Sequence, residues 1–250
     1  MKKTFRFVGL VMMAVLSYGM TACGGDDGND DGGIDTTPIS LSAGKDKTIQ
    51  GADTNISSNR FVAYGSKNVV HGWHVGEATL MVNGKKSIPI SVLPNYYLYN
   101  DPVTEWGCSM DYVKKNQKQG TLNTKNTDAS LVYENAGAAS FLVYNFENSK
   151  LKSIGAIVST NHTSQFASFL AERYLMLPYY QGEDTYFIGA DGMELKDAKS
   201  VVVLQVYSSK YLIALYLPAN DYVTSTRSIH SENKILSHIK TLIEQKIIVN

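Results

Sequence analysis

"TSQFASFLAERYLMLPYYQGEDTYF", residues 163–187, is the stretch on which the fold reading turns. Phe166, Phe169, Leu170, Tyr174 and Leu177 recur at helical spacing, behind Thr163 or Ser164 as a cap and ahead of Pro178, which cannot continue a helix. This is the strongest helical pattern in the chain, and short extended runs lie on both sides of it. "SLVYEN" (130–135), "SFLVYNF" (140–146) and "SIGAIVST" (153–160) precede it; "TYFIG" (185–189), "SVVVLQVY" (200–207) and "KYLIALYLP" (210–218) follow, the last two joined through Ser208-Ser209. Further back, "EWGCSMDYVKKNQKQG" (105–120) reads as a short helix capped by Ser109, with Asp111 in its first turn and Gly120 as its stop. The order is helix and three strands, twice over. Equivalent positions recur at about 56 to 60 residues, with Leu131 matching Phe187, Phe141 matching Val201 and Ile154 matching Leu212.

Upstream of this region the pattern is strand-only. "ISLSA", "RFVAY", "NVVHGWHV", "EATLMVN" and "KSIPISV" are separated by Gly, Asn and Ser clusters between Pro38 and Pro94. In "MVNGKKSIPISV" (81–92) the Asn83-Gly84 pair supplies positive φ for a tight turn between two alternating runs. The expectation is a small β-sandwich over 38–94. An α+β domain follows over 95–218, its two αβββ repeats forming one antiparallel sheet with the helices on one face. In residues 219–250, "SENKILSHIKTLIEQK" places Ile235, Leu236, Ile239, Leu242 and Ile243 on one side of an amphipathic helix behind Ser231.

The N-terminus carries an address. Lys2, Lys3 and Arg6 precede "FVGLVMMAVLSYGM", which is too short for a membrane span and has the flank of a secretory signal, so 1–22 reads as a signal peptide. The "MTAC" that ends it resembles the lipobox of bacterial lipoproteins. That resemblance implies that Cys23 is acylated and becomes the first residue of the mature chain, anchored by chains that contribute about 0.8 kcal/mol per buried methylene. Gly24 after the cysteine and the acidic "GGDDGNDD" resemble the export signal of surface-exposed Gram-negative lipoproteins, which implies an outer-membrane protein facing the exterior. Physically, 23–37 is a solvated tether, since Gly and Asp bury nothing and the acids repel one another.

Two further resemblances concern the body. "ISSNRFVAYGSKNVVHGWHVGEATLMVNGKKSIPISV" is similar to the bacterial immunoglobulin-like group 2 domains through Gly76, Ala78, Thr79 and Val82 and the earlier Ser58-Asn59, which implies an Ig-like module that serves adhesins or spaces other domains. The element order of the second half resembles β-lactamase inhibitor protein and small outer-membrane assembly lipoproteins. "DPVTEWGCSMDYV" (101–113) resembles a segment of two-domain surface lipoproteins.

Charge narrows the partners. Of 23 basic and 23 acidic residues, the signal segment holds three basic and the tether five acidic ones, leaving a body of 20 against 18 with no footprint for nucleic acid or anionic lipid. With Cys23 acylated, Cys108 has no partner for an intramolecular disulfide and is expected to be buried. Catalytic patterns are lacking: there is no Gly-x-Ser-x-Gly elbow and no phosphate-cradling loop, and Glu183, Asp184 and Asp191 sit in turn-rich stretches. His71-x-x-His74 has zinc-like spacing only on a helix, whereas alternation along a strand sends the rings to opposite faces.

Aromatic residues are the remaining signal. There are 16 tyrosines, and "NYYLYNDPVTEW" and "LPYYQGEDTYF" gather several in expected loops, where flat amphipathic rings can stack on sugars or anchor a protein interface. Tyr179, Tyr180, Tyr186, Tyr99 and Trp106 are therefore the candidate ligand-binding residues, with Tyr96, Tyr97 and Tyr99 also placed where two domains join. The function expected is non-catalytic binding or adhesion to a glycan or other extracellular ligand. The alternative is a protein-interaction module acting as an inhibitor or envelope assembly factor. The expected partners are the membrane, through the anchor, and a surface glycan or protein; the chain is read as a monomer without metal, cofactor or nucleic acid.

Overall fold

A computed structural model of the protein describes residues 33–124, 127–181 and 184–223; for 179–181, 184–186 and 222–223 it describes the backbone. The signal segment, Cys23 and the helix expected within 231–246 lie outside the described residues. The chain is sheet-rich α+β. It divides into two compact units between Leu93 and Pro94.

Among the described residues, the first unit holds seven short strands in two sheets. β1 (Ile39–Ser42), β3 (Asn55–Ser57), β6 (Gly76–Val82) and β7 (Lys86–Leu93) form one sheet in the order β1-β7-β6-β3, with β1 parallel to β7. β2 (Asp46–Thr48), β4 (Ala63–Ser66) and β5 (Val69–Gly72) form the other, in the order β2-β5-β4. Period-2 alternation turns Leu80, Val82, Ile88, Ile90 and Val92 of the first sheet and Val70 and Ala63 of the second into a shared core. The β6–β7 turn forms as its residues demand, with Asn83 at φ 50° and Gly84 at φ 69°. Asn55, Ser57 and His74 are buried polar residues of this unit. The amide nitrogen of Asn55 donates to the carbonyls of Lys67 (2.7 Å) and Val69 (3.0 Å) in the facing sheet, and Gly65 leaves it room, since a Cβ there would lie 1.4 Å from Asn55 Oδ1.

Among the described residues, the strands of the second unit form one antiparallel sheet of eight. The first four, β8 (Thr121–Leu122), β9 (Ser130–Ala136), β10 (Ala139–Glu147) and β11 (Lys150–Ser159), follow helix α1 (Met110–Asn116). The second four, β12 (Leu175–Gln181), β13 (Asp184–Ala190), β14 (Ser200–Val206) and β15 (Tyr211–Pro218), follow helix α2 (Thr163–Ala171). Their order across the sheet is β12-β13-β14-β15-β11-β10-β9-β8, so the last strand of each set meets the other at the centre. α1 begins as the sequence implies, Ser109 Oγ accepting from the backbone N–H of Tyr112, and it ends at Asn116, ahead of Gly120.

The structure corrects the sequence reading in three places. Each helix is followed by four strands, where three were expected, giving an eight-stranded sheet. The additional strand in the second set comes from the expected helix itself: α2 stops at Ala171, and Leu175–Gln181 is extended. The cause is local and tertiary together. Pro178 disfavours helical backbone at Leu177, while the Arg173 guanidinium bonds the carbonyl of Phe169 (3.0 Å) and the Asp101 carboxylate (2.8 Å), pinning the helix end. Pro178 then sits on the outermost strand, where a missing N–H costs least. Third, four residues, Tyr207–Lys210, lie between β14 and β15 where a two-residue turn was expected.

The two faces carry two cores. α1 and α2 do share one face, where Val113, Phe166, Phe169 and Leu170 pack with Leu142, Tyr144, Ile154 and Tyr216. The opposite face is also buried, however, and Val132, Val143, Ile157, Val201, Ile213 and Leu215 form a second core there. Ala198, beside a 3-10 turn, and Ala219, from the short helix α3 (Ala219–Val223), belong to that core.

Candidate functional site

The β12–β13 hairpin gathers the tyrosines that the sequence singled out. Its register sets Tyr179 opposite Tyr186 and Tyr180 opposite Thr185. Tyr179 and Tyr186 are thus a directly paired cross-strand position, the closest spacing that two residues on adjacent strands can have. They belong to a sheet-edge hairpin, and not to a loop held by a helix end as the sequence suggested. Leu177 pairs with Ile188, which pairs in turn with Val203, so positions 177, 179, 186 and 188 share the face that carries the second core. Leu177 is 59% exposed there, and Phe187, one position along and on the other face, is 45% exposed. Leu177 and Phe187 are thus large apolar side chains uncovered on opposite faces of the hairpin.

Tyr99 belongs to the core, and its expected ligand-binding role is corrected. It is 4% exposed, its ring packs on Phe169 with centroids 4.6 Å apart, and its hydroxyl lies 2.6 Å from that of Tyr216. Burial pushes both hydroxyls above the ordinary tyrosine range. The cause is the path of residues 95–103, which run against α2: Glu172 accepts from the backbone N–H groups of Asn95 and Tyr96, Asp101 binds Arg173, and the Val103 N–H bonds the Tyr144 hydroxyl. Tyr96 and Tyr97 remain exposed on the same segment. Trp106 is half-buried, packed against the helix-side core with its indole N–H donating to Ser200 Oγ (3.1 Å). Cys108 is half-buried, not buried as expected, and desolvation lifts its thiol to about 11, which leaves little thiolate at neutral pH.

The first unit holds an arrangement that the sequence reading missed. Asp46, His71 and Tyr64 fall in one register row across β2, β5 and β4. The imidazole Nδ1–H of His71 donates to the Asp46 carboxylate (2.6 Å), the Tyr64 ring stacks on His71 (4.8 Å), and Trp73 meets Tyr64 edge to face (6.0 Å, 84°). Alternation turns His71 and Trp73 outward, whereas His74 faces in, 2% exposed, donating from Nδ1 to the Phe61 carbonyl (2.8 Å) and stacked on the Phe61 ring. The two histidines therefore lie on opposite faces. Desolvation holds His74 below the ordinary histidine value. Among the described residues no group of three or more His, Cys, Asp and Glu is placed to hold a metal ion.

No protein-family model matches the chain, no curated protein matches its sequence and no solved structure matches its fold.

Proposed function

We propose that this is an exported, lipid-anchored protein of the outer-membrane surface that binds a glycan or another extracellular ligand without transforming it. The observation that carries the binding role is the β12–β13 hairpin, where Tyr179 and Tyr186 are paired across the strands on the face that carries exposed Leu177, with exposed Phe187 on the other. The anchor rests on the signal-like segment and "MTAC" ending at Cys23, and the outward address on the acidic tether. On this reading the first unit is an Ig-like spacer, supported by its two packed sheets of seven short strands. The second unit is a duplication resembling the inhibitor-like architecture. Its support is the recurrence of a helix and four antiparallel strands, arranged so that β11 and β15 meet at the centre of the sheet.

A protein partner is the second reading, as for an inhibitor or an envelope assembly factor. Leu177 and Phe187 favour it, because exposed apolar chains suit a protein interface better than a sugar. Replacing both Tyr179 and Tyr186 by Ala tests the role. With the full chain applied to an array of printed bacterial, plant and mucin glycans, wild type should be retained. The double variant should lose about 1–3 kcal/mol of affinity at an unchanged unfolding temperature. Equal retention of both proteins would remove the hairpin from the site, and retention of neither, alongside crosslinking to one envelope protein through position 177, would favour the second reading.

A further inference from the structure

We infer that the outward face of the β2-β5-β4 sheet is a carbohydrate subsite, with Tyr64 and Trp73 as its walls and the Asp46–His71 pair as its polar floor. The four residues come from three strands and the segment just after β5, so the sheet register itself brings them together. Trp73 also packs on Phe61 (6.4 Å) and His74 (4.6 Å), while Tyr64 is 39% exposed, Asp46 is exposed and His71, joined to it, is half-buried.

The chemistry matches a pyranose. One sugar face carries axial C–H groups that lie well on an aromatic ring, and its rim carries hydroxyls that each donate and accept. Two rings held at 84° supply a stacking surface and a side wall. Because His71 Nδ1 is committed to Asp46, Nε2 is the ring nitrogen left to meet a hydroxyl, and the Asp46 carboxylate retains acceptor capacity beyond its bond to His71. Adjacent hydroxyls of one sugar can meet both groups. A quaternary ammonium is the competing occupant, since aromatic walls beside a carboxylate attract cations. The site suits it less well, because the Asp46 carboxylate is already committed to His71 Nδ1. This inference is independent of the hairpin reading, whose residues belong to the other unit.

The test uses the full chain with 5-fluorotryptophan at its two tryptophans, so that Trp73 and Trp106 give separate fluorine resonances and the second serves as an internal control. The probes are the methyl glycosides of glucose, galactose, mannose and N-acetylglucosamine, with tetramethylammonium as the cation. At least one glycoside should shift the Trp73 resonance saturably and leave Trp106 unmoved. Tyr64→Ala should abolish the shift, Asp46→Asn should weaken it about tenfold, and Tyr64→Phe should preserve it. If Tyr64→Ala proves unfolded, Asp46→Asn and His71→Gln decide the matter by the same tenfold criterion. No saturable shift with any glycoside, a response to tetramethylammonium alone, or a response that survives Tyr64→Ala and Asp46→Asn would overturn the inference.

Discussion

Removing a single oxygen from Tyr99 separates a core residue from a binding residue. The Tyr99 and Tyr216 hydroxyls are 2.6 Å apart, and their residues are 4% and 1% exposed, so neither group can turn to water when the other is lost. Tyr99→Phe keeps the ring on Phe169 and strands the Tyr216 hydroxyl, at a cost of about 1–3 kcal/mol, the desolvation penalty of an unpaired buried group. Tyr216→Phe should cost a similar amount for the converse reason. The double substitution strands nothing and should return to within about 1 kcal/mol of wild type, so the cycle is strongly non-additive. A loss of 2 kcal/mol in a unit of this size lowers the unfolding temperature by roughly 4–8 °C. Urea unfolding followed by circular dichroism measures all four proteins. A Tyr99→Phe protein within about 0.5 kcal/mol of wild type, or penalties that simply add in the double variant, would refute the pairing.

Other expectations follow from particular contacts. Gly65→Ala should destabilise the first unit by at least about 2 kcal/mol, because the new Cβ displaces Asn55 and breaks its two bonds to Lys67 and Val69; a urea midpoint unchanged from wild type would contradict this. His74 is held below its ordinary 6.5 by burial, so as pH falls through that value the unfolded chain takes up a proton that the folded unit resists. Stability should therefore fall between pH 7.5 and 5.5 by more in wild type than in His74→Gln, and equal pH dependence in the two proteins would refute the burial argument. Cys23→Ser should release the protein from the membrane fraction and abolish labelling by fatty acid; a variant that still partitions and labels would remove the anchor.

What the sequence made legible was local. Asn83-Gly84 and Ser109 announce their turn and cap because both signals are satisfied within a few residues. The beginning of α2 was equally readable from Phe166, Phe169 and Leu170. Its end was not, because Tyr174 and Leu177 continue the helical spacing while Leu175–Gln181 also suits a strand. The choice is made by pairing with β13 and by Asp101, 72 residues from the Arg173 it holds. Tyr99 was misread for the same reason: it lies in a stretch without periodicity, and the hydroxyl that claims it is 117 residues away. The Asp46–His71–Tyr64 row was hidden because cross-strand register across three strands is non-local. Outward alternation of His71 and Trp73 was the one available hint.

The central claim, binding without turnover, is met most directly by following a retained ligand. The glycan held most strongly on the array should be incubated for a day with the full chain and with the Tyr179→Ala/Tyr186→Ala variant, then recovered and analysed by mass spectrometry beside a binding isotherm. The account predicts saturable binding to wild type, affinity lower by about 1–3 kcal/mol in the variant, and glycan of unchanged mass from both. Glycan cleaved or modified by wild type, with the conversion abolished by one acidic or histidine substitution, would contradict it.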